Sequence, residues 1–79
     1  MPARTGVNVE VSSYTRGGQF EAGNFITLGD LLRDYSVEMS EAIIEVTDVD
    51  GEERRVTAAG ALQEGDTVVI MKAKNKSGN

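Results

Sequence analysis

The segment ALQEGDTVVIMKA, residues 61–73, combines a turn with a strand more clearly than any other stretch of the sequence. Gly65 and Asp66 have the chemistry of a tight turn, and a strand is predicted directly after them, over residues 67–73. The uninterrupted apolar run VVIM, residues 68–71, is typical of a strand covered on both faces. We therefore predict that the last strand lies at the centre of a sheet.

A hairpin is predicted at the other end of the chain. The stretch VNVEVSSY, residues 7–14, alternates so that its three valines lie on one face of a strand. The glycine pair at 17–18 permits positive φ, which predicts a hairpin turn. A second strand is expected over 19–26, with a bulge or bend at Gly23.

One short helix is predicted in TLGDLLRDYS, residues 27–36. Thr27 is suited to the N-cap, and Asp30 follows three residues later, close to a capping box. Apolar side chains recur at i, i+3, i+4 and i+7, which gives one face that packs across a sheet. This predicted helix core consists of Leu28, Leu31, Leu32 and Tyr35. Gly29 costs about 1 kcal/mol relative to alanine in a helix interior, and less in the first turn.

The segment AIIEVTDVDGEERRV, residues 42–56, predicts a second hairpin. Ile44 and Val46 would face the core because they alternate with polar residues. The pair Asp-Gly at 50–51 has turn chemistry. Val56 would then lead the returning strand.

The remaining segments predict connections and ends. SVEMSE, residues 36–41, is expected to connect the helix to the second hairpin, with room for one helical turn. TAAGALQ, residues 57–63, is rich in small, flexible residues and predicts a loop or a short turn. We predict one folded domain over residues 7–74, a flexible N-terminus over 1–6 and a flexible C-terminal tail over 75–79.

Composition excludes several chemistries. The chain has 79 residues, a net charge of -5 and neither cysteine nor histidine, so disulfides, thiol catalysis and histidine acid-base chemistry are excluded. The acidic charge disfavours a nucleic-acid surface. No apolar run approaches the ~20 residues that span a bilayer, and the start of the sequence lacks the pattern of a signal peptide. The expectation is a cytoplasmic protein without a membrane segment.

An acidic cluster in the second hairpin has the residue types of a calcium site. Its members are Asp48, Asp50, Glu52 and Glu53. The ligand spacing of a calcium loop is absent, so a solvated turn is the preferred interpretation. Arg54 and Arg55 follow directly and are expected to neutralise this charge locally.

Two further patterns favour structural roles over binding. The glycine pair in RGGQ lacks the continuation of a phosphate-binding loop, which favours a hairpin. A basic edge could form from Arg4, Arg16, Lys72, Lys74 and Lys76. Alternating lysines on a strand more often prevent edge pairing than bind nucleic acid. Since a domain of this size also offers little concavity, we predict no catalytic, cofactor or metal site and no enzymatic activity.

The order of these elements resembles the β-grasp, or ubiquitin-like, fold. Within it, the chain resembles the sulfur-carrier proteins of thiamine and molybdopterin biosynthesis. The stretches that carry the resemblance are ITLGDLLRDYSV, VTDVDGEERRV and ALQEGDTVVIMKA. The resemblance implies an α+β domain with a mixed sheet of four or five strands and one helix packed across it.

The C-terminus departs from the carrier pattern. Those carriers end in Gly-Gly, and their terminal carboxylate is adenylated and then converted to a thiocarboxylate or conjugated. Here the end reads Ser77-Gly78-Asn79, without the second glycine. The resemblance therefore implies the fold, and it implies carrier chemistry only if this tail is a divergent working end.

The function expected from the sequence is that of a non-catalytic protein-interaction module or small accessory subunit of a larger assembly. It would dock on protein partners through a sheet face or a sheet edge. The alternative is a divergent ubiquitin-like or sulfur-carrier protein that acts through its C-terminus. A third class, a swapped-hairpin DNA-binding dimer of the AbrB type, is disfavoured by the acidic charge and by the helix in mid-chain.

Overall fold

The computed structural model describes residues 6–73 and confirms an α+β fold with five strands and one α-helix. The strands are β1 Val7–Ser13, β2 Phe20–Phe25, β3 Ala42–Thr47, β4 Glu53–Arg54 and β5 Thr67–Lys72, and the helix is α1 Leu28–Asp34. Single 3-10 turns occupy Tyr14–Arg16 and Met39–Glu41, the second within the predicted connection. The predicted flexible tail lies outside the described residues, as does the predicted flexible N-terminus apart from Gly6.

The strand order is β2-β1-β5-β3-β4, which is consistent with a β-grasp topology. β1 and β5 are parallel, while the other neighbouring pairs are antiparallel. The last strand is therefore central, as predicted from its apolar run. Its expected burial on both faces is wrong, because Val68 and Ile70 are buried whereas Met71 is 38% exposed. A single helix covers one face of the sheet, so β5 is central through hydrogen bonding alone.

The core lies between α1 and the covered sheet face. The four helix side chains predicted to dock, Leu28, Leu31, Leu32 and Tyr35, are all buried. They belong to one cluster with buried strand and loop residues, namely Val9, Val11, Val37, Val46, Leu62, Val68 and Ile70. Burial of each such aliphatic side chain contributes about 1.5–3 kcal/mol, which makes this cluster the main stabilising element of a small domain.

The helix N-terminus is held by a distant loop as well as by its own cap. The Thr27 Oγ1 accepts a hydrogen bond from the Asp30 N–H at 3.2 Å, as the capping pattern predicts. The Leu28 N–H donates to the Gly60 carbonyl at 3.1 Å, and the Gly29 N–H donates to the Ala58 carbonyl at 2.8 Å. The predicted loop or short turn at 57–63 is a turn, in which the Gly60 N–H donates to the Thr57 carbonyl at 2.8 Å. Its carbonyls satisfy helix N–H groups that would otherwise lack partners.

The second hairpin differs from its prediction in the returning strand. The turn at residues 50–51 forms as expected, with φ of 83° at Gly51. β4 contains only Glu53 and Arg54, however, so Val56 does not lead a returning strand. The chain leaves β3 after Arg54 and runs to the N-terminus of α1, where the carbonyls of Ala58 and Gly60 accept hydrogen bonds from the helix.

The first hairpin forms around the predicted glycine pair, with φ of 84° at Gly17 and 79° at Gly18. The predicted bulge at Gly23 is wrong, since the β1–β2 register is continuous from Val7↔Phe25 to Ser12↔Phe20. A Cβ at Gly23 would lie 2.5 Å from Cε2 of Phe25. The glycine therefore makes room for an aromatic ring two residues later.

Asp66 is the buried charge of the fold. Its Oδ1 accepts a hydrogen bond from the Arg54 Nη1 at 2.7 Å, and its Oδ2 accepts one from the Gln63 N–H at 2.8 Å. Its main-chain carbonyl also accepts from the Glu10 N–H at 3.0 Å. Arg54 therefore does not neutralise the acidic turn as expected, because it extends on the core side of the sheet to the start of β5.

We predict that Asp66→Ala lowers the free energy of unfolding by about 3–5 kcal/mol, since it leaves the Arg54 guanidinium partly buried without its carboxylate. Chemical denaturation of the variant, of Arg54→Ala and of the double variant measures both the loss and the coupling between the two side chains. Asp50→Ala, in the exposed turn, is the control and is expected within about 0.5 kcal/mol of wild type. If the losses in free energy of unfolding of the two single variants add up to the loss of the double variant, the interaction between the two side chains contributes nothing to stability.

Gly29→Ala is predicted to destabilise the domain even though alanine is the better helix former by about 1 kcal/mol. A Cβ at this position would lie 2.8 Å from the Ala58 carbonyl oxygen, so the loop would have to move and weaken its bond to the helix. The melting temperature of Gly29→Ala, compared with that of wild type, measures this destabilisation. Arg33→Ala, on the exposed side of α1, is the matched control, and a more stable Gly29→Ala would contradict the prediction.

Candidate interaction surface

The sheet face opposite α1 has no covering element among the described residues. Strand alternation and register place there the side chains of residues 8, 10 and 12 of β1, of 20, 22 and 24 of β2, of 67, 69 and 71 of β5, and of 43, 45 and 47 of β3. The two faces of the sheet are therefore chemically distinct, and within residues 6–73 only one of them is covered.

One end of this open face is apolar. Phe20 is 57% exposed, Ile43 is 50% exposed and Met71 is 38% exposed, while Val69 is partly buried. Met71 lies opposite Ile43, and Val69 precedes Met71 on the same face of β5. Ser12 lies between Val69 and Phe20 in the cross-strand order. We call the four residues Phe20, Ile43, Val69 and Met71 the face patch.

Polar and acidic residues surround the face patch. Glu45 lies opposite Val69 on β3, and Glu10 lies two residues from Ser12 on β1. At the far end of the face, the Asn24 Nδ2 donates to the Asn8 Oδ1 at 3.0 Å. Apolar side chains bordered by polar ones are typical of protein-protein interaction sites.

A hydrogen-bonded carboxylate lies beyond this polar end. The Glu64 carboxylate accepts from the Asn8 backbone N–H at 3.0 Å and from its Nδ2 at 2.9 Å. These hydrogen bonds hold the pKa of Glu64 below its ordinary value. The contact joins the turn before β5 to the start of β1.

A second candidate surface is a groove beside β3. It has a volume of about 750 Å³ and lies between the outer edge of that strand and the segment that follows β4. The lining residues are Met39, Ile43, Ile44, Glu45, Glu53, Arg54, Arg55, Val56, Thr57 and Ala58. It occupies the place that the predicted returning strand would have filled.

The basic edge considered from the sequence is not assembled from the residues described. Arg4, Lys74 and Lys76 lie outside residues 6–73, and Lys72 is exposed at the end of β5. Arg16 is committed elsewhere, since its guanidinium lies 4.2 Å from the centre of the Tyr35 ring and 3.2 Å from the Glu21 Oε1. The tail residues of the alternative function, Ser77, Gly78 and Asn79, also lie outside the described part of the chain.

The acidic turn is organised by its own backbone. The Asp48 Oδ1 accepts hydrogen bonds from the N–H groups of Asp50 and Glu52, each at 2.9 Å. Within residues 6–73, no group of three or more carboxylates is arranged to hold a metal ion. The turn is thus explained by its hydrogen bonds.

Tyr35 joins the end of α1 to the first hairpin. Its hydroxyl donates to the Glu21 Oε1 at 3.3 Å, and its ring packs edge-on against Phe25. The Thr15 hydroxyl donates to the Tyr35 carbonyl at 2.8 Å. Burial raises the pKa of the Tyr35 hydroxyl, and the neighbouring Glu21 carboxylate raises it further against the opposing effect of Arg16.

Sequence reasoning missed the face patch and the groove for different reasons. The sequence contains a signal for the face patch. Successive strand residues lie on opposite faces, so Ile43, which precedes the inward-facing Ile44, must face outward. Its exposure could not be recognised, because an apolar run indicates burial on both faces unless the number of layers is known. The groove depends on the path of the chain after Arg54, for which the sequence carries no local signal.

No protein-family model matches the sequence, and no curated protein is significantly similar to it. Within the described residues, no helix is long and apolar enough to cross a membrane.

The raised pKa of Tyr35 predicts a loss of stability in alkali. A tyrosine in the unfolded chain ionises near pH 10, whereas the folded chain retains the proton to higher pH. The contribution of the protonated Tyr35 hydroxyl to folding stability is therefore complete below about pH 10 and is lost as the pH rises through the folded-state pKa. Urea denaturation across pH 8–12 measures it.

Tyr35→Phe is expected to show a shallower decline of stability above about pH 10, because it has no proton to lose at this site. Tyr14→Phe, which changes the exposed tyrosine of the first hairpin loop, is the matched control. If both variants follow the wild-type curve, Tyr35 does not couple ionisation to folding.

Proposed function

We propose that this protein is a non-catalytic interaction module, a small accessory subunit that docks on a protein partner through the face patch. The observation that carries the proposal is the exposure of three large apolar side chains, Phe20, Ile43 and Met71, on one uncovered sheet face. Exposed apolar patches with polar borders mark interaction sites more often than isolated apolar residues do.

The geometry of the sheet supports docking without rearrangement. The face patch lies on β2, β3 and β5. On the opposite face, Val46 of β3 and Val68 and Ile70 of β5 belong to the core, and partly buried Phe25 packs β2 against it. Side chains on rigid strands lose little backbone freedom when a partner binds, which favours affinity. Aromatic side chains and methionine, such as Phe20 and Met71, are enriched at protein-protein interfaces.

The test compares the wild-type protein with Phe20→Ser and Met71→Ser as bait in its native lysate. Because both side chains are exposed, each variant is expected to fold, and to lose the partner that wild type retains. Val49→Ser is the matched control, since Val49 is 70% exposed but lies in the β3–β4 turn away from the face patch. Equal recovery of the same partner by all three variants would contradict docking at the face patch.

The second candidate function is that of a divergent carrier acting through its C-terminus. The strand order, which is consistent with a β-grasp topology, supports this function. Deletion of residues 77–79 is expected to leave partner recovery unchanged if the face patch is the working surface. Intact-mass measurement of native protein showing cleavage after Gly78, or a thiocarboxylate, would favour the carrier function instead.

A further inference from the structure

We propose that the outer edge of β3 binds an extended, positively charged peptide segment of another protein as an added β-strand. This surface is distinct from the face patch and lies in the groove beside β3, although Ile43 borders both. Strand addition at an open edge supplies backbone hydrogen bonds for affinity and side-chain contacts for specificity.

The backbone N–H and C=O groups of Ile44 point away from β5, towards the outer edge of β3. In an antiparallel pair, successive residues direct their N–H and C=O groups to opposite sides of the strand. The Asp48 N–H bonds the Glu52 carbonyl on the β4 side, and the Glu41 carbonyl accepts from the Ala73 N–H on the β5 side. Even-numbered residues of β3, including Ile44, therefore face the outer edge.

No described residue satisfies these groups of Ile44. The register Val46↔Arg54 would bring Val56 opposite Ile44 if the hairpin continued. The chain instead turns away after Arg54, and no hydrogen bond joins Ile44 to Val56 or to any other residue on that side in the described part of the chain. An extended strand is the structure that matches a backbone donor and acceptor left open on one strand edge.

The groove walls suit a peptide with apolar side chains at alternate positions. Met39 is 43% exposed on one side of the groove, and Val56 is partly buried on the other. Ile43 and Ile44 provide apolar contacts on opposite faces of β3. An added strand would place its own side chains alternately beside these two faces.

The charge of the groove favours a basic segment. Its four charged lining residues are Glu45, Glu53, Arg54 and Arg55. The Arg54 guanidinium is bound to the Asp66 carboxylate, so two glutamates face one remaining arginine. The net charge of the chain, -5, adds to this attraction for cations.

A second copy of this chain fits the edge poorly. A two-fold pairing centred on Ile44 would place Ala42 of one copy opposite Val46 of the other. The outer edge of Val46 is already paired with Arg54, and both copies carry the same acidic charge. The open edge therefore fits a short foreign segment better than it fits a symmetric dimer.

The probe is the capped peptide Ac-KVKVKVK-amide, with Ac-EVEVEVE-amide as its charge-reversed counterpart. We expect the lysine peptide to slow hydrogen exchange of the Ile44 amide at least tenfold at saturation, because that N–H gains an acceptor. Amides of residues on the face patch are expected to keep their exchange rates. Unchanged hydrogen exchange of the Ile44 amide at about 1 mM peptide, a concentration that detects interactions of about -4 kcal/mol, would overturn the proposal.

The matched variant is Glu45→Lys combined with Glu53→Lys, both at exposed positions. It is expected to bind the lysine peptide at least tenfold more weakly and to gain affinity for the glutamate peptide. If the variant still prefers the lysine peptide, the proposal of a basic segment is overturned. Protection of the Ile44 amide without peptide would also overturn it, because it would indicate pairing with a second copy. Phe20→Ser should retain peptide binding, so failure at this edge and failure of face-patch docking are distinguishable.

Discussion

The path of the chain after β4 depends on the ion pair between the partly buried Arg54 and the buried Asp66. A carboxylate with no exposed surface requires both a cation and hydrogen-bond donors, because its desolvation costs several kcal/mol. Here the cation comes from β4, a donor comes from the Gln63 N–H, and the main chain of Asp66 binds β1 through Glu10. One residue thereby fixes the relative positions of β4, the turn before β5 and the first strand.

The ion pair accompanies the early end of β4. Once Arg54 extends to Asp66 on the core side, the chain continues towards the helix instead of along β3, and Ala58 and Gly60 accept hydrogen bonds from the first turn of α1. The close approach of the Ala58 carbonyl explains a glycine at position 29. The same departure leaves Ile44 with an open edge, so the contacts that stabilise this part of the fold also create the groove.

Two surfaces with different chemistry follow from a sheet that has one helical layer. The face patch offers side chains and suits a folded partner with a complementary apolar surface. The edge of β3 offers backbone groups bordered by Glu45 and Glu53, and suits an extended basic segment. The proposed docking at the face patch and the proposed strand addition at the β3 edge therefore use different chemistry on one domain.

The elements governed by local physics are predictable from the amino-acid sequence. Periodicity identified α1 and its docking face, the capping residue located its start, and the glycine pair at 17–18 located the first turn. The centrality of β5 was also predicted, from its apolar run. Tertiary structure alone decided the partner of Arg54, the end of β4 and the exposure of Met71, because each depends on residues or layers distant in sequence. Gly23 shows the same limit at short range: its role comes from the position of the Phe25 ring, which packing sets and backbone propensity does not.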